Sequence, residues 1–161
     1  IFMVYNAIAQ SAQPIISYNF GQQNPVRVAR TIRLALKTAL GCGIFFFAAT
    51  LVFNHQIVGL FIDKSYQAYD IAVNGIPYFA VGYLFFALNI VGIGYYQSIE
   101  RARRATVITL FRGTLFMLAG FLLLPPVLGV RGIWLAVPLA ELLTLLLIIG
   151  IYLKDSFAVR R

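Results

Sequence analysis

From Ile71 to Ile99 no residue carries a charge, and four further stretches are nearly as clean. Ile1 to Phe20 has none, Leu34 to Phe53 only Lys37, Ala105 to Val127 only Arg112, and Ile133 to Leu153 only Glu141. A bilayer core about 30 Å thick takes about 20 mostly apolar helical residues to cross, and each run is of that order. Backbone groups in hydrocarbon must pair within their own segment, and barrel strands are only about ten residues of alternating character, so the runs read as helices. The expected fold class is an all-α polytopic membrane protein. Its five transmembrane helices fall at about 1–20, 34–53, 71–99, 105–127 and 133–153, followed by a tail over 154–161.

Composition excludes a soluble reading: 61% of the residues are apolar and 11% charged, against about 45–50% and about 25% in soluble chains. A formal charge of +8 in a soluble protein would point to nucleic acid, but here the charges cluster between the apolar runs and report topology instead. No nucleic-acid partner is expected; the lipid bilayer is. Arg27, Arg30, Arg33 and Lys37, then Arg101, Arg103 and Arg104, then Lys154, Arg160 and Arg161 follow the first, third and fifth runs, whereas the alternate loops carry only Lys64 and Arg131. The positive-inside rule then puts the C-terminus in the cytoplasm of a multi-pass protein of the plasma (inner) membrane. The chain opens inside an apolar run, Ile1-Phe2-Met3-Val4-Tyr5, with no basic region before it and no small-residue cleavage site after it. It reads as a segment of a longer protein rather than a signal peptide.

Catalytic and metal chemistry find little to work with. Cys42 and His55 are each the only residue of their kind, which leaves no disulfide framework, no CxxC pair and no second imidazole for a zinc site. His55 sits in an outer loop, where solvation is expected. Cys42 lies between Gly41 and Gly43 and reads as a close-packing position, and Trp134 as an interface anchor. No phosphate-cradling GxxxxGK, Gly-x-Ser-x-Gly elbow or His-Glu-x-x-His occurs. The chain is expected to be no enzyme, to hold no metal and to need no cofactor.

Polar residues inside the runs are the candidate functional groups. Ionisable side chains at bilayer depth cost at least about 2.5–3.5 kcal/mol and normally find a partner. Arg112 lies about 12 Å from the inner surface by residue count, and Glu141 about 17 Å from it on the next run, so the two are within reach of each other. Two readings stand: a fixed interhelical ion pair, or a carboxylate that meets a cation or cationic substrate. Asn6, Gln10, Gln13 and Ser17 recur at intervals of four, three and four, one face of a helix, with Asn19 nearby. Such a stripe either lines a cavity or hydrogen-bonds a neighbouring helix. The third run adds Asn74, Asn89 and Gln97 and a Pro77 that predicts a bend. Cavity candidates are therefore Gln10, Gln13, Ser17, Asn19 and Asn89.

Several motifs together resemble the multidrug and toxic compound extrusion (MATE) family. They are Gln13-Pro14-Ile15-Ile16-Ser17-Tyr18-Asn19-Phe20-Gly21 before a basic helix start, Gly59-Leu60-Phe61 with Asp63, Tyr96-Gln97 before the basic loop, and above all the segment from Gly129 to Glu141, GVRGIWLAVPLAE. The resemblance implies that the five runs are helices eight to twelve of a twelve-helix, two-lobe transporter whose N-terminal lobe lies upstream. It implies export of amphiphilic, often cationic small molecules by alternating access, with sodium or protons as the coupling ion. The sequence departs from some family members, which carry an acidic residue in the middle of the helix matching the third run; here Phe85, Phe86 and Asn89 stand there. The alternatives are a lipid-linked saccharide flippase of the same superfamily, or a non-transporting membrane remnant.

Overall fold

The computed structural model describes residues 1–159, with side chains described through Asp155. Arg160 and Arg161, counted above in the basic tail, lie outside the described residues. Within them the chain is a bundle of helices: α1 (Phe2–Gly21), α2 (Pro25–Val52), α3 (Asn54–Gly59), α4 (Gln67–Ala80), α5 (Gly82–Ser98), α6 (Ala102–Leu110), a π-helical segment (Phe111–Phe116), α7 (Met117–Leu128) and α8 (Val130–Val159).

Three helical stretches are long and apolar enough to cross a membrane: Pro25–Val52, Ala102–Leu128 and Val130–Asp155. A fourth forms if the bent pair α4 and α5 counts as one span. The helix α1 has a spanning length, but its amides and hydroxyls leave it less apolar than these. Two boundaries differ most from those read in the sequence. The second helix begins at Pro25, because Asn24 caps it by accepting from Arg27 N–H at 3.1 Å and Pro25 occupies the first turn, where a missing N–H costs nothing. The last helix continues to Val159, through the residues read as a tail.

The third run is broken rather than gently bent. α4 and α5 meet at 44° around Val81, beyond Pro77. Pro77 has no N–H to offer the carbonyl of Val73, and Asn54 supplies the substitute, donating Nδ2 to Val73 O at 3.3 Å. Just past the break, Gly82 lies against Pro138 of α8, where a Cβ would already sit at 3.4 Å.

Lipid is as apolar as leucine, so close packing and polar pairs hold such helices together. The core lies where α1, α2 and α5 meet, with Tyr5, Ile16, Ala39, Ala87, Val91 and Tyr96 buried in it. Small residues set the approach of α7 to α8: a Cβ on Gly120 would lie 2.8 Å from Ala136 O, and one on Gly132 2.4 Å from Leu124 O. Gly75 of α4 makes room for the Trp134 indole, so that side chain packs on a helix as well as marking the start of the last run. The link between α7 and α8 passes through Gly129 at φ +59 and ψ −138, a conformation that a side chain would oppose.

The connection between α2 and α4 is built around α3 and the following turn, where Tyr69 Oη donates to His55 O at 3.2 Å and lies 3.2 Å from His55 Nδ1. Asp63 accepts from Ser65 N–H and Oγ–H at 2.9 and 2.8 Å, which holds its carboxyl below the usual range.

Candidate functional site

At mid-bundle, three helices contribute one buried polar cluster. Arg112 stands in the π-helical segment, a distortion that turns side chains away from α-helical register and recurs at functional sites. Its Nε donates to Glu141 Oε1 at 2.8 Å and Oε2 at 3.0 Å. The two side chains are 16% and 2% exposed, so the contact is shielded from water on the glutamate side and open to one face on the arginine side. Asn89 of α5 completes the cluster: its Nδ2 donates to Glu141 Oε2 at 2.7 Å and to the Glu141 backbone carbonyl at 2.8 Å. The Arg112 guanidinium carbon also lies 4.4 Å from the centroid of Phe86, a cation–π contact. Two donors therefore make three hydrogen bonds to one carboxylate group, and the positive charge nearest it is already matched.

The open side of Arg112 faces a recess of about 620 Å³ between α1, α5 and α6. Its polar walls are Asn6, Gln10, Gln13, Gln97, Thr109 and Arg112. Gln13 and Gln97 meet across it, Nε2 to Oε1 at 3.0 Å, and Gly94 keeps the floor low, with Gln13 Nε2 3.3 Å from where its Cβ would be. Amides that both donate and accept, with a guanidinium whose charge is balanced from behind, form a surface of many hydrogen-bonding geometries and little net charge.

The sequence candidates divide between these places. Gln10 and Gln13 line the recess. Ser17 does not; its Oγ donates to Ser98 O at 3.0 Å, a link to the end of α5. Asn19 is buried and donates to Ile15 O of its own helix at 2.8 Å. Nine residues beyond Gln10, at 100° each, Asn19 points to the opposite side of α1, and that arithmetic was available from the spacing. Asn89 belongs to the glutamate cluster instead of the recess. Gln97, the partner of Gln13, and Thr109 were not among the candidates. Asp155, held by both Arg101 and Arg104 at the basic end of the bundle, is not among them either, although it is an acidic residue next to Lys154 in a segment of basic residues.

A bundle of apolar helices with a buried ion pair and an amide-lined recess defines an integral, multi-pass membrane protein with a polar site inside the bilayer. The sequence profile described as MatE matches residues 1–122, most of the chain, and the chain belongs to that family. Its fold is similar to solved structures of MATE transporters. One is an inward-facing conformation of a multidrug resistance MATE family transporter of the MOP superfamily, with TM-score 0.83 and 17% identity over 91% of this chain and 35% of that one. An outward-facing conformation gives TM-score 0.84 and 15% identity over 95% and 35%. A MATE in complex with MaL6 gives 0.82 and 14% over 95% and 35%. At such identities the likeness is one of fold, and the chain spans 35% of the length of each of those proteins. No curated protein matches it.

Proposed function

We propose that this chain is part of the C-terminal lobe of a two-lobe, twelve-helix secondary transporter, with α1, α2, α4–α5, α6–α7 and α8 as its last five spans. On this reading the full protein exports amphiphilic, often cationic compounds by alternating access, driven by entry of sodium or protons. The observation that carries it is the family match over residues 1–122. The near-equal likeness to an inward-facing and an outward-facing transporter, 0.83 and 0.84, supports a lobe that keeps its shape while the two lobes rock. The basic residues at one end support a cytoplasmic C-terminus in the plasma membrane.

Within this scheme the recess of Gln10, Gln13 and Gln97 faces the translocation path, and Arg112 with Glu141 is a structural tie rather than the coupling site. Glu141 supports that assignment, since both its carboxylate oxygens are occupied by Arg112 and Asn89. The same neutralised arginine disfavours a flippase for pyrophosphate-linked sugars, which calls for unbalanced positive charge in the cavity. The test is expression of the full-length protein in cells stripped of their own efflux pumps, followed by accumulation of a fluorescent lipophilic cation. Reduced accumulation that returns to control levels when the sodium or the proton gradient is collapsed is expected. Unchanged accumulation across a panel of such dyes would leave the remnant reading in its place.

A further inference from the structure

A second and larger hollow, about 1070 Å³, opens at the basic end of the bundle, away from the recess. One wall is α2 from Val28 to Leu36, the other is α8 from Leu145 to Tyr152, and Gly92 and Tyr95 of α5 form the floor. α2 and α8 each pack on α5 but do not approach one another, so the hollow is a crevice between two spans. Its lining is mostly apolar. The α2 wall is about 12 Å long at 1.5 Å per residue, and Arg33 stands inside it, three residues from Leu36.

The α2 wall also carries a charge. Arg33 lines the crevice, is exposed, and has no carboxylate partner among the described residues. Arg27, Arg30, Arg33 and Lys37 follow at steps of three, three and four, which gathers them within an arc of about 120° on α2. Val28, Ile32 and Leu36, at steps of four, present an apolar arc to the crevice; of the four basic residues Arg33 is the nearest to it, about 60° from Leu36, and the others lie about 100° or more away. The acidic residue nearest this end of α8, Asp155, is taken by Arg101 and Arg104. A mostly apolar crevice therefore carries one unmatched positive charge, Arg33, on its α2 wall.

We propose that this crevice is a binding site for an anionic phospholipid, with an acyl chain between α2 and α8 and the headgroup on Arg33. A cationic amphiphile would meet Arg33 with like charge, and a zwitterionic lipid would leave Arg33 unneutralised. The inference rests on the helices lying in a bilayer and is independent of what the protein transports. A juxtamembrane basic residue contributes about 1 kcal/mol toward an anionic lipid surface, which is about fivefold in affinity.

The test is native mass spectrometry of the full-length protein released from detergent, titrated with phosphatidylglycerol or phosphatidylcholine of identical acyl chains. The proteins compared are wild type, Arg33→Gln, Ala29→Trp, which fills the crevice from an exposed position, and Arg131→Gln at the opposite end. Phosphatidylglycerol should be retained over phosphatidylcholine, Arg33→Gln should lose about fivefold of phosphatidylglycerol binding and none of the phosphatidylcholine, and Arg131→Gln should change neither. Ala29→Trp should reduce both lipids. Equal retention of the two lipids, or equal losses in Arg33→Gln and Arg131→Gln, would overturn the site. So would tighter retention of tetraphenylphosphonium in Arg33→Gln with phosphatidylglycerol unchanged, which would make the occupant a cationic amphiphile. Disulfide trapping of Leu36→Cys against a cysteine in the chain upstream of Ile1 would show that a protein segment fills the crevice, and would also overturn it. If Ala29→Trp elutes as aggregate, the charge comparison alone decides, since Arg33 is exposed and its replacement disturbs no packing.

Discussion

Arg112 Nε donates to both carboxylate oxygens of Glu141, at 2.8 and 3.0 Å, from a π-helical turn onto the neighbouring helix. Breaking a buried pair by removing one member leaves the other unmatched, at a cost of about 3–5 kcal/mol, whereas removing both charges is far milder. Glu141→Gln should therefore lower the yield of folded full-length protein, and Arg112→Gln with Glu141→Gln should restore it together with efflux. Size-exclusion profiles and dye efflux measured on the wild type and both variants check this. A double variant that folds yet stays inactive would make Glu141 the ion-coupling group instead, and full activity of the single variant at normal yield would defeat both roles.

The close approach of α7 and α8 makes a second prediction. Gly120→Ala and Gly132→Ala each push a methyl group against backbone carbonyl oxygens, which cannot swing aside as a side chain would. Each should cost about 1–3 kcal/mol as overpacking. Gly41→Ala and Gly150→Ala meet nothing within 4 Å and should be neutral or slightly stabilising. Thermal midpoints by fluorescence-detected chromatography separate the two pairs; equal shifts would mean that α7 and α8 are not held this close in the membrane.

Accessibility tests the recess. In the full-length protein, Gln10→Cys and Gln13→Cys should react with water-soluble thiol reagents and be protected by substrate, because both positions line it. Ile15→Cys, on the other side of α1, should not react, although Ile15 is 51% exposed in this chain, because that surface meets lipid or protein. Ser17 sits at the junction with Ser98 and should label less than Gln10. Uniform labelling would remove the cavity assignment.

Topology is open to a direct check. An epitope after Arg161 should be hidden from antibody in intact cells and one inserted beside Lys64 should be reached; the reverse pattern would overturn the orientation inferred from basic residues.

Two glutamine and glutamate residues show where local strain is stored. Gln23 and Glu100 take φ of +53 and +61 just past the ends of α1 and α5. Asn24 N–H reaches back to Asn19 O and Arg101 N–H to Tyr96 O, both at 3.0 Å. These are Schellman closures, in which glycine usually takes the left-handed position. Gln23→Gly and Glu100→Gly should each stabilise by about 1 kcal/mol, read as a rise in thermal midpoint. A fall at both sites would show that those side chains hold the turns through contacts of their own.

The apolar runs carried the helices because charge is the one thing a span cannot scatter freely, so gaps between charged residues mark its length. Depth was equally legible: counting residues from the ends puts Arg112 and Glu141 at nearly one level, and adjacent spans must then bring them near. Azimuth was not. Asn89 reaches Glu141 only because α5 lies between α1 and α8, a packing order that no residue count along α5 contains. The break at Val81 depends on Asn54 from another helix satisfying Val73 O, so Pro77 alone gave the bend but not its place. Asp155 joined Arg101 and Arg104 because α8 continues past its apolar stretch, where hydropathy no longer speaks.

Glu141 and Asp155 are fourteen residues apart, almost four full turns, and so project from the same side of α8. Both are gripped by arginines from the single stretch of chain that precedes it, Arg112 on the one hand and Arg101 with Arg104 on the other. One attachment would fix how near the two rods stand yet leave α8 free to roll about its own axis. Two attachments about 21 Å apart along that axis remove the roll as well. The last span is thereby held in torsion, so that a turn of its basic end has to carry the level of the buried glutamate and the arginine-bearing stretch with it.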